Sequence, residues 1–180
     1  MVLRDTLLRA AAAGFFQLRW TAQILEEMTR SLERHPKRPM PTDKAARLRA
    51  AMEKAFDDAD VTDYARYIPV MQNEPDDRHV AAAAVAASAQ VIVTFNLKHF
   101  SPLPNGIEAR APDDFLCVLF EQNPAAFLAV MRVQAAEFKE PPLNTLDGLL
   151  LSLQTIAPQL VQAVRAWAAS GQTASSPAQP

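Results

Sequence analysis

Residues 73–100 constrain this chain more than any other stretch. Asn73-Glu74-Pro75-Asp76-Asp77 form an acidic lead-in, an alanine-rich run follows, then Val91-Ile92-Val93, then the polar turn Thr94-Phe95-Asn96-Leu97-Lys98-His99-Phe100. Carboxylates at Asp76 and Asp77 suit a helix start, where the first backbone N–H groups lack partners. From Asp77 the helical spacing puts Val80, Ala81, Ala84 and Val85 on one face, a core-facing stripe with the acid at its mouth. Three β-branched residues in a row signal a parallel strand buried on both faces. Thr94, Phe95 and Asn96 leave its carboxyl end, where open α/β sheets place their ligands.

The 180 residues suffice for a domain with a real core, and 49% of them are apolar. A net charge of −2 excludes a generally cationic nucleic-acid binder, so any such contact comes from a local patch or through a metal ion. No apolar run reaches the ~20 residues of a membrane span, and no signal-peptide pattern opens the chain. The single cysteine, Cys117, reads as a buried small hydrophobe, and a cytoplasmic setting is expected. His35, His79 and His99 have no zinc spacing.

In order, residues 3–13 read as a helix ended by Gly14, and Phe15 to Trp20 as a short strand candidate. A second helix starts at Thr21 and buries Ile24, Leu25, Met28 and Leu32, with Glu27 near the edge of that face and Glu26 toward solvent. A basic cluster, Arg30 to Arg38, is broken by prolines, and a third helix begins at Thr42. Residues 57–72 have room for one short strand, near Val61 or Ile68. After the central unit, residues 107–110 suggest a last strand and Pro112-Asp113-Asp114 opens a helix to Gln122. Helices are expected over 124–138, 144–155 and 158–169, and disorder over 170–180. Strands alternating with helices point to an α/β sandwich around a short parallel sheet. The expected organisation is a domain over 1–122, a helical C-terminal extension over 123–169 and the tail over 170–180.

The candidate acids are Glu27, Asp76 and Asp77, with Asn96 beside them if the sheet closes as expected. Carboxylates from separate elements, converging at strand ends, can hold a hard divalent ion such as Mg²⁺, which takes oxygen ligands and keeps several waters. Spacing alone leaves plainer roles open: capping for Asp76 and Asp77, a solvated helix flank for Glu27, a turn for Asn96. The cluster around Arg30 is either a phosphate-contacting rim or an ordinary helix end. Arg78 and Lys98 flank the proposed ligands and are better placed for phosphates. His79 is expected on the helix surface, and Trp20 and Phe100 in the core.

Taken together, Ile24-Leu25-Glu26-Glu27-Met28, Asp76-Asp77-Arg78-His79-Val80-Ala81-Ala82-Ala83 and Ile92-Val93-Thr94-Phe95-Asn96-Leu97-Lys98-His99-Phe100 resemble the PIN-domain family, in its bacterial branch related to the VapC toxins. The resemblance covers residues 3 to about 120. It implies a three-layer α/β/α nuclease that cleaves RNA with Mg²⁺ or Mn²⁺, as the toxin of a toxin–antitoxin pair. Carried over by motif, it makes Glu27 and Asp77 catalytic metal ligands. Asn96 falls on a ligand position that many members fill with Asp, and a neutral amide holds a cation less strongly. It implies an RNA substrate and an antitoxin partner; by their positions Arg30, Arg78 and Lys98 are the candidate RNA contacts, and the apolar C-terminal helices leave a homodimer as a further option.

One departure stands at the start. Family members open with a hydrophobic strand ending in an Asp, whereas this chain opens at what resembles the following helix. Asp5-Thr6 imitates the motif, but Val2-Leu3-Arg4 is a poor central strand, and Asp5 reads as a first-turn acid. Either the natural start lies upstream, the reading preferred here, or the chain has lost one acid. Loss of a central strand would leave its neighbours with unpaired backbone groups. The alternative function is therefore a PIN-like binding module without catalysis.

Overall fold

The computed structural model describes residues 2–171, so the expected tail lies, from residue 172 on, outside the described residues. The chain divides into two compact units: Met1–Phe16 with Ala111–Pro180, and Gln17–Arg110.

The first unit is helical. Helix α1 (Val2–Ala12) buries Thr6 and Ala10. It closes in a Schellman turn: Gly14 takes φ +80°, its N–H reaches the Ala11 carbonyl at 2.9 Å, and the Phe15 N–H reaches Ala10 at 3.0 Å. Helices α5 (Pro112–Gln122), α6 (Pro124–Ala136), α7 (Leu146–Leu153) and α8 (Pro158–Ala169) complete it. Prolines open three of them in the first turn, where a missing N–H costs nothing. The core is Leu116, Leu119, Phe127, Leu128, Met131, Leu149, Leu153 and Leu160, all at most 2% exposed. One polar pair sits inside it: the Thr6 hydroxyl donates to Gln134 Oε1 at 2.9 Å. The N-terminus of α8 is capped from a distance. Asp113 on α5 accepts the Gln159 and Leu160 N–H groups, both at 2.9 Å. Cys117 is half-buried rather than fully enclosed.

The second unit holds α2 (Ala22–Glu33), α3 (Thr42–Ala55), α4 (Arg78–Ala86), β1 (Val91–Val93) and β2 (Glu108–Arg110). The two strands pair in parallel, Val91 to Glu108, Ile92 to Ala109 and Val93 to Arg110. The sheet bonds of Gln90 and Thr94 run to β2, so alternation turns the Val91 and Val93 backbone groups toward the opposite edge. No strand pairs with that edge among the described residues. A core of Met71, Ala81, Ala82, Ala84, Ile92 and Phe100 joins α4 to β1. Trp20 and Phe100 are buried, as expected.

Several local expectations need correction. Phe15 to Trp20 is not a strand; only Trp20 pairs, in a single parallel bridge to Asp60. Phe15 and Phe16 are held instead by edge-to-face contacts with Phe127 and Phe115. Asp60 is the one bridging residue of 57–72, and Ile68 lies in a 3-10 helix over Ala65–Val70. Of β1, only Ile92 is buried, and Val91 and Val93 are half-buried. Helix α4 is covered on more than one side, since Ala81, Ala82, Ala83 and Ala84 are all buried, while Val80 and Val85 are half-buried.

Candidate active site

Thr21 sets the start of α2, its hydroxyl accepting the Ile24 N–H at 3.1 Å. Leu25 anchors that helix in the core, and Glu27, two residues on, leaves the buried face. Its carboxylate is not simply solvated. Gln23 Nε2 donates to one oxygen at 3.2 Å, and His79 Nε2 stands 3.2 Å from the other. Gln23 in turn accepts the Tyr64 hydroxyl at 3.2 Å.

His79 is 5% exposed, so its expected place on the helix surface is wrong. The small alanines beside it let neighbouring elements close over the ring. Its Nδ1 lies 3.0 Å from the Asp76 carbonyl oxygen. A carbonyl only accepts, so Nδ1 carries the donated proton. Through this ring Glu27 is brought to the first turn of α4, where Asp77 stands.

Asp77 ends a 3-10 turn, Pro75–Asp77, and occupies the N-cap position of α4 without a side-chain capping bond. Its Oδ2 lies 2.8 Å from His99 Nδ1 instead. The loop before it is stitched to the turn after β1. The His99 carbonyl accepts the Glu74 N–H at 3.0 Å and Asn73 Nδ2 at 3.3 Å, and Arg78 Nε donates to the Asn73 carbonyl at 3.1 Å. Asn73 is 2% exposed, and its Oδ1 has no partner among the described residues.

Asn96 is exposed at the carboxyl end of β1, its N–H donating to Thr94 Oγ1 at 3.0 Å. Lys98 is exposed and makes no ion pair among the described residues, whereas Arg30 pairs with Glu26 along α2. Asp5 pairs with Arg4 at 2.9 Å on α1, which belongs to the other compact unit. His99 and Asn73 were not expected at the site, and no local pattern marks either of them.

Two carboxylates and an exposed amide oxygen are hard donors, the kind that suits Mg²⁺, which binds through one or two carboxylates and keeps water. Among the described residues no three His, Cys, Asp or Glu side chains come together as a ready-made cage.

A PIN domain family model matches residues 3–98, more than half of the chain. The chain belongs to the PIN-domain family. The helix-rich α/β architecture with its short parallel sheet is that of a PIN domain. A second model, the VapC50 C-terminal domain, matches residues 112–166 and so takes in α5 to α7 and most of α8. A Mycobacterium tuberculosis protein named "Putative ribonuclease VapC50" is 40% identical over 111 residues, which is 60% of this chain and 65% of that protein. The match thus spans less than two thirds of the relative's length. No solved structure matches the chain.

Proposed function

We propose that this PIN domain is a metal-dependent ribonuclease, the toxin of a toxin–antitoxin pair, hydrolysing RNA phosphodiesters in a reaction that needs Mg²⁺ or Mn²⁺. The observation that supports this most is the approach of Glu27, through His79, to the helix start that carries Asp77. The name of the VapC50 relative points the same way. Glu27, Asp77 and Asn96 would hold the cation. When bound, it makes water a better nucleophile and offsets the charge that develops on the phosphodiester. Arg78 and Lys98 would take backbone phosphates, with Arg30 a lesser contributor because Glu26 already engages it. The partner is an antitoxin protein.

A second reading, a PIN-like binding module that pairs with a protein partner and cleaves nothing, is favoured by one observation. Among the described residues the acids do not complete a three-member cluster. Cleavage of a fluorescent RNA separates the two. The ribonuclease reading expects activity that needs Mg²⁺ or Mn²⁺, stops with EDTA and is lost in Asp77→Ala. Metal-independent cleavage sinks both readings, and no cleavage by the folded protein sinks the ribonuclease and leaves the binding module.

A further inference from the structure

We propose that His79 and His99 are positioning residues, each holding one of the two carboxylates, Glu27 and Asp77, in a set orientation at the start of α4. The inference rests on the ribonuclease reading and adds the devices that keep its acids in place.

Glu27 sits on an exposed helix flank, where a long carboxylate ordinarily sweeps through several rotamers at little cost. Here a fixed ring nitrogen stops it. The His79 ring is buried, and its Nδ1 is tied to the Asp76 carbonyl at 3.0 Å, which sets the ring plane. Its Nε2 is then aimed at Glu27 Oε2 from 3.2 Å. At the second acid the same device is built the other way round. The His99 backbone is anchored by two hydrogen bonds to its carbonyl, from Glu74 and Asn73, and its Nδ1 meets Asp77 Oδ2 at 2.8 Å. Asp77 Oδ1 accepts no hydrogen bond among the described residues and stays available to a ligand. Acids placed by such partners act from one geometry, and loss of an outer partner at metal sites costs about 10–100-fold in affinity or activity.

The two rings meet their carboxylates through different nitrogens, and this makes the test specific. A glutamine amide reaches as far as Nε2, and an asparagine amide only as far as Nδ1. Three measurements are made on the full chain: RNA-cleavage kinetics, Mn²⁺ affinity by electron paramagnetic resonance, and histidine-ring ¹⁵N shifts by NMR. His79→Ala and His99→Ala are expected to lower kcat by about tenfold or more, with KM little changed, and to weaken Mn²⁺ binding by about tenfold. His79→Gln and His99→Asn restore most of both, whereas His79→Asn and His99→Gln do not. Glu27→Gln moves the ring signals of His79 alone, and Asp77→Asn those of His99 alone.

Ring signals that ignore these substitutions overturn the proposal whatever the activity. So do alanine variants that fold and keep full kcat and Mn²⁺ affinity, or amides that rescue irrespective of length. A wild-type chain that binds no Mn²⁺ and cleaves no RNA defeats the ribonuclease reading, and positioning for catalysis falls with it. Failure of the histidine variants beside an active wild type defeats this inference alone.

Discussion

Glu27 and His79 are 52 residues apart in the chain and 3.2 Å apart in the fold. The contact has a stability consequence separate from any chemistry. Glu27→Ala leaves the buried His79 ring with a nitrogen facing nothing, and an unmet buried polar group costs about 1–3 kcal/mol. Water reaches this pair, since the Glu27 side chain is 44% exposed, so the low end applies. The expected loss is about 1 kcal/mol, or roughly 2–4 °C in Tm. A thermal melt in EDTA measures it free of any metal effect. Glu26→Ala, on the solvent side of the same helix, should shift Tm far less.

Asp113 does for α8 what no residue next to that helix does. Ala157, at its N-cap, has no side chain to offer, and the Asp113 carboxylate takes the two N–H groups instead. Hydrogen bonds to a charged group contribute about 1.5–3 kcal/mol, and a helix N-terminus favours the negative charge. Asp113→Ala is expected to cost about 2–3 kcal/mol in a denaturant melt. Asp113→Asn, which keeps the shape and one acceptor oxygen, should lose clearly less.

The features legible in the sequence are those with local causes. Thr21 opens α2 and Gly14 closes α1 because a hydroxyl and a missing Cβ act within one turn of the chain. Pro112 and Gln122 bound α5 as expected. Motif alone nominates Glu27, Asp77 and Asn96, and nothing local marks what holds the two acids. Imidazole–carboxylate pairs across 52 and 22 residues have no periodic signature. The misplacement of His79 follows from reading α4 as amphipathic with one dry face. Its alanines are small enough for neighbours to approach on several sides, so a residue off the main stripe is still enclosed. The Phe15–Trp20 error has a similar origin. A short aromatic run suits a strand, but pairing is decided by the partner edge, and here the rings make edge-to-face contacts instead.

Cys117 should be a poor nucleophile. Burial, followed by the charges of Asp113, Glu121 and Asp114, pushes its thiol up from 9.0 to about 11. The thiolate is the reactive form, so at pH 8 iodoacetamide should react roughly a hundredfold more slowly than with the unfolded chain. The sign for stability follows. Above pH 9 the unfolded thiol releases its proton while the folded one keeps it, so this group's contribution to stability falls as pH rises from 9 to about 11. Alkylation followed by mass spectrometry, native against denatured, checks the rate.

Gly148 is required by a close approach rather than by its dihedral angles. A Cβ at that position would lie 1.8 Å from the Pro142 carbonyl oxygen. That oxygen is already committed, accepting the Thr145 N–H at 3.1 Å and the Thr145 hydroxyl at 2.9 Å, and Thr145 caps α7. Gly148→Ala therefore has to move backbone and disturb a cap together, with an expected cost of about 2–3 kcal/mol. A chemical melt of the variant measures it, and an unchanged midpoint would show that the Pro142 turn yields freely.

Lys98 and Arg30 should differ as RNA contacts, although both are exposed basic residues near the proposed site. Arg30 is engaged by Glu26 one turn away, which offsets its charge. Lys98 has no such partner among the described residues and lies in the turn after β1, two residues from Asn96. A lysine meeting a phosphate releases a counterion, which for single strands contributes about 0.7 to the slope of log affinity against log salt. In an Asp77→Asn background, which stops cleavage, Lys98→Ala is expected to weaken RNA binding several-fold at low salt and to flatten that slope by about 0.7. Arg30→Ala should leave the slope nearly unchanged. Fluorescence anisotropy across a salt series reads both. Equal losses would mean that the Glu26 pair opens at no cost when RNA arrives, and the basic cluster beyond α2 would then belong to the binding surface.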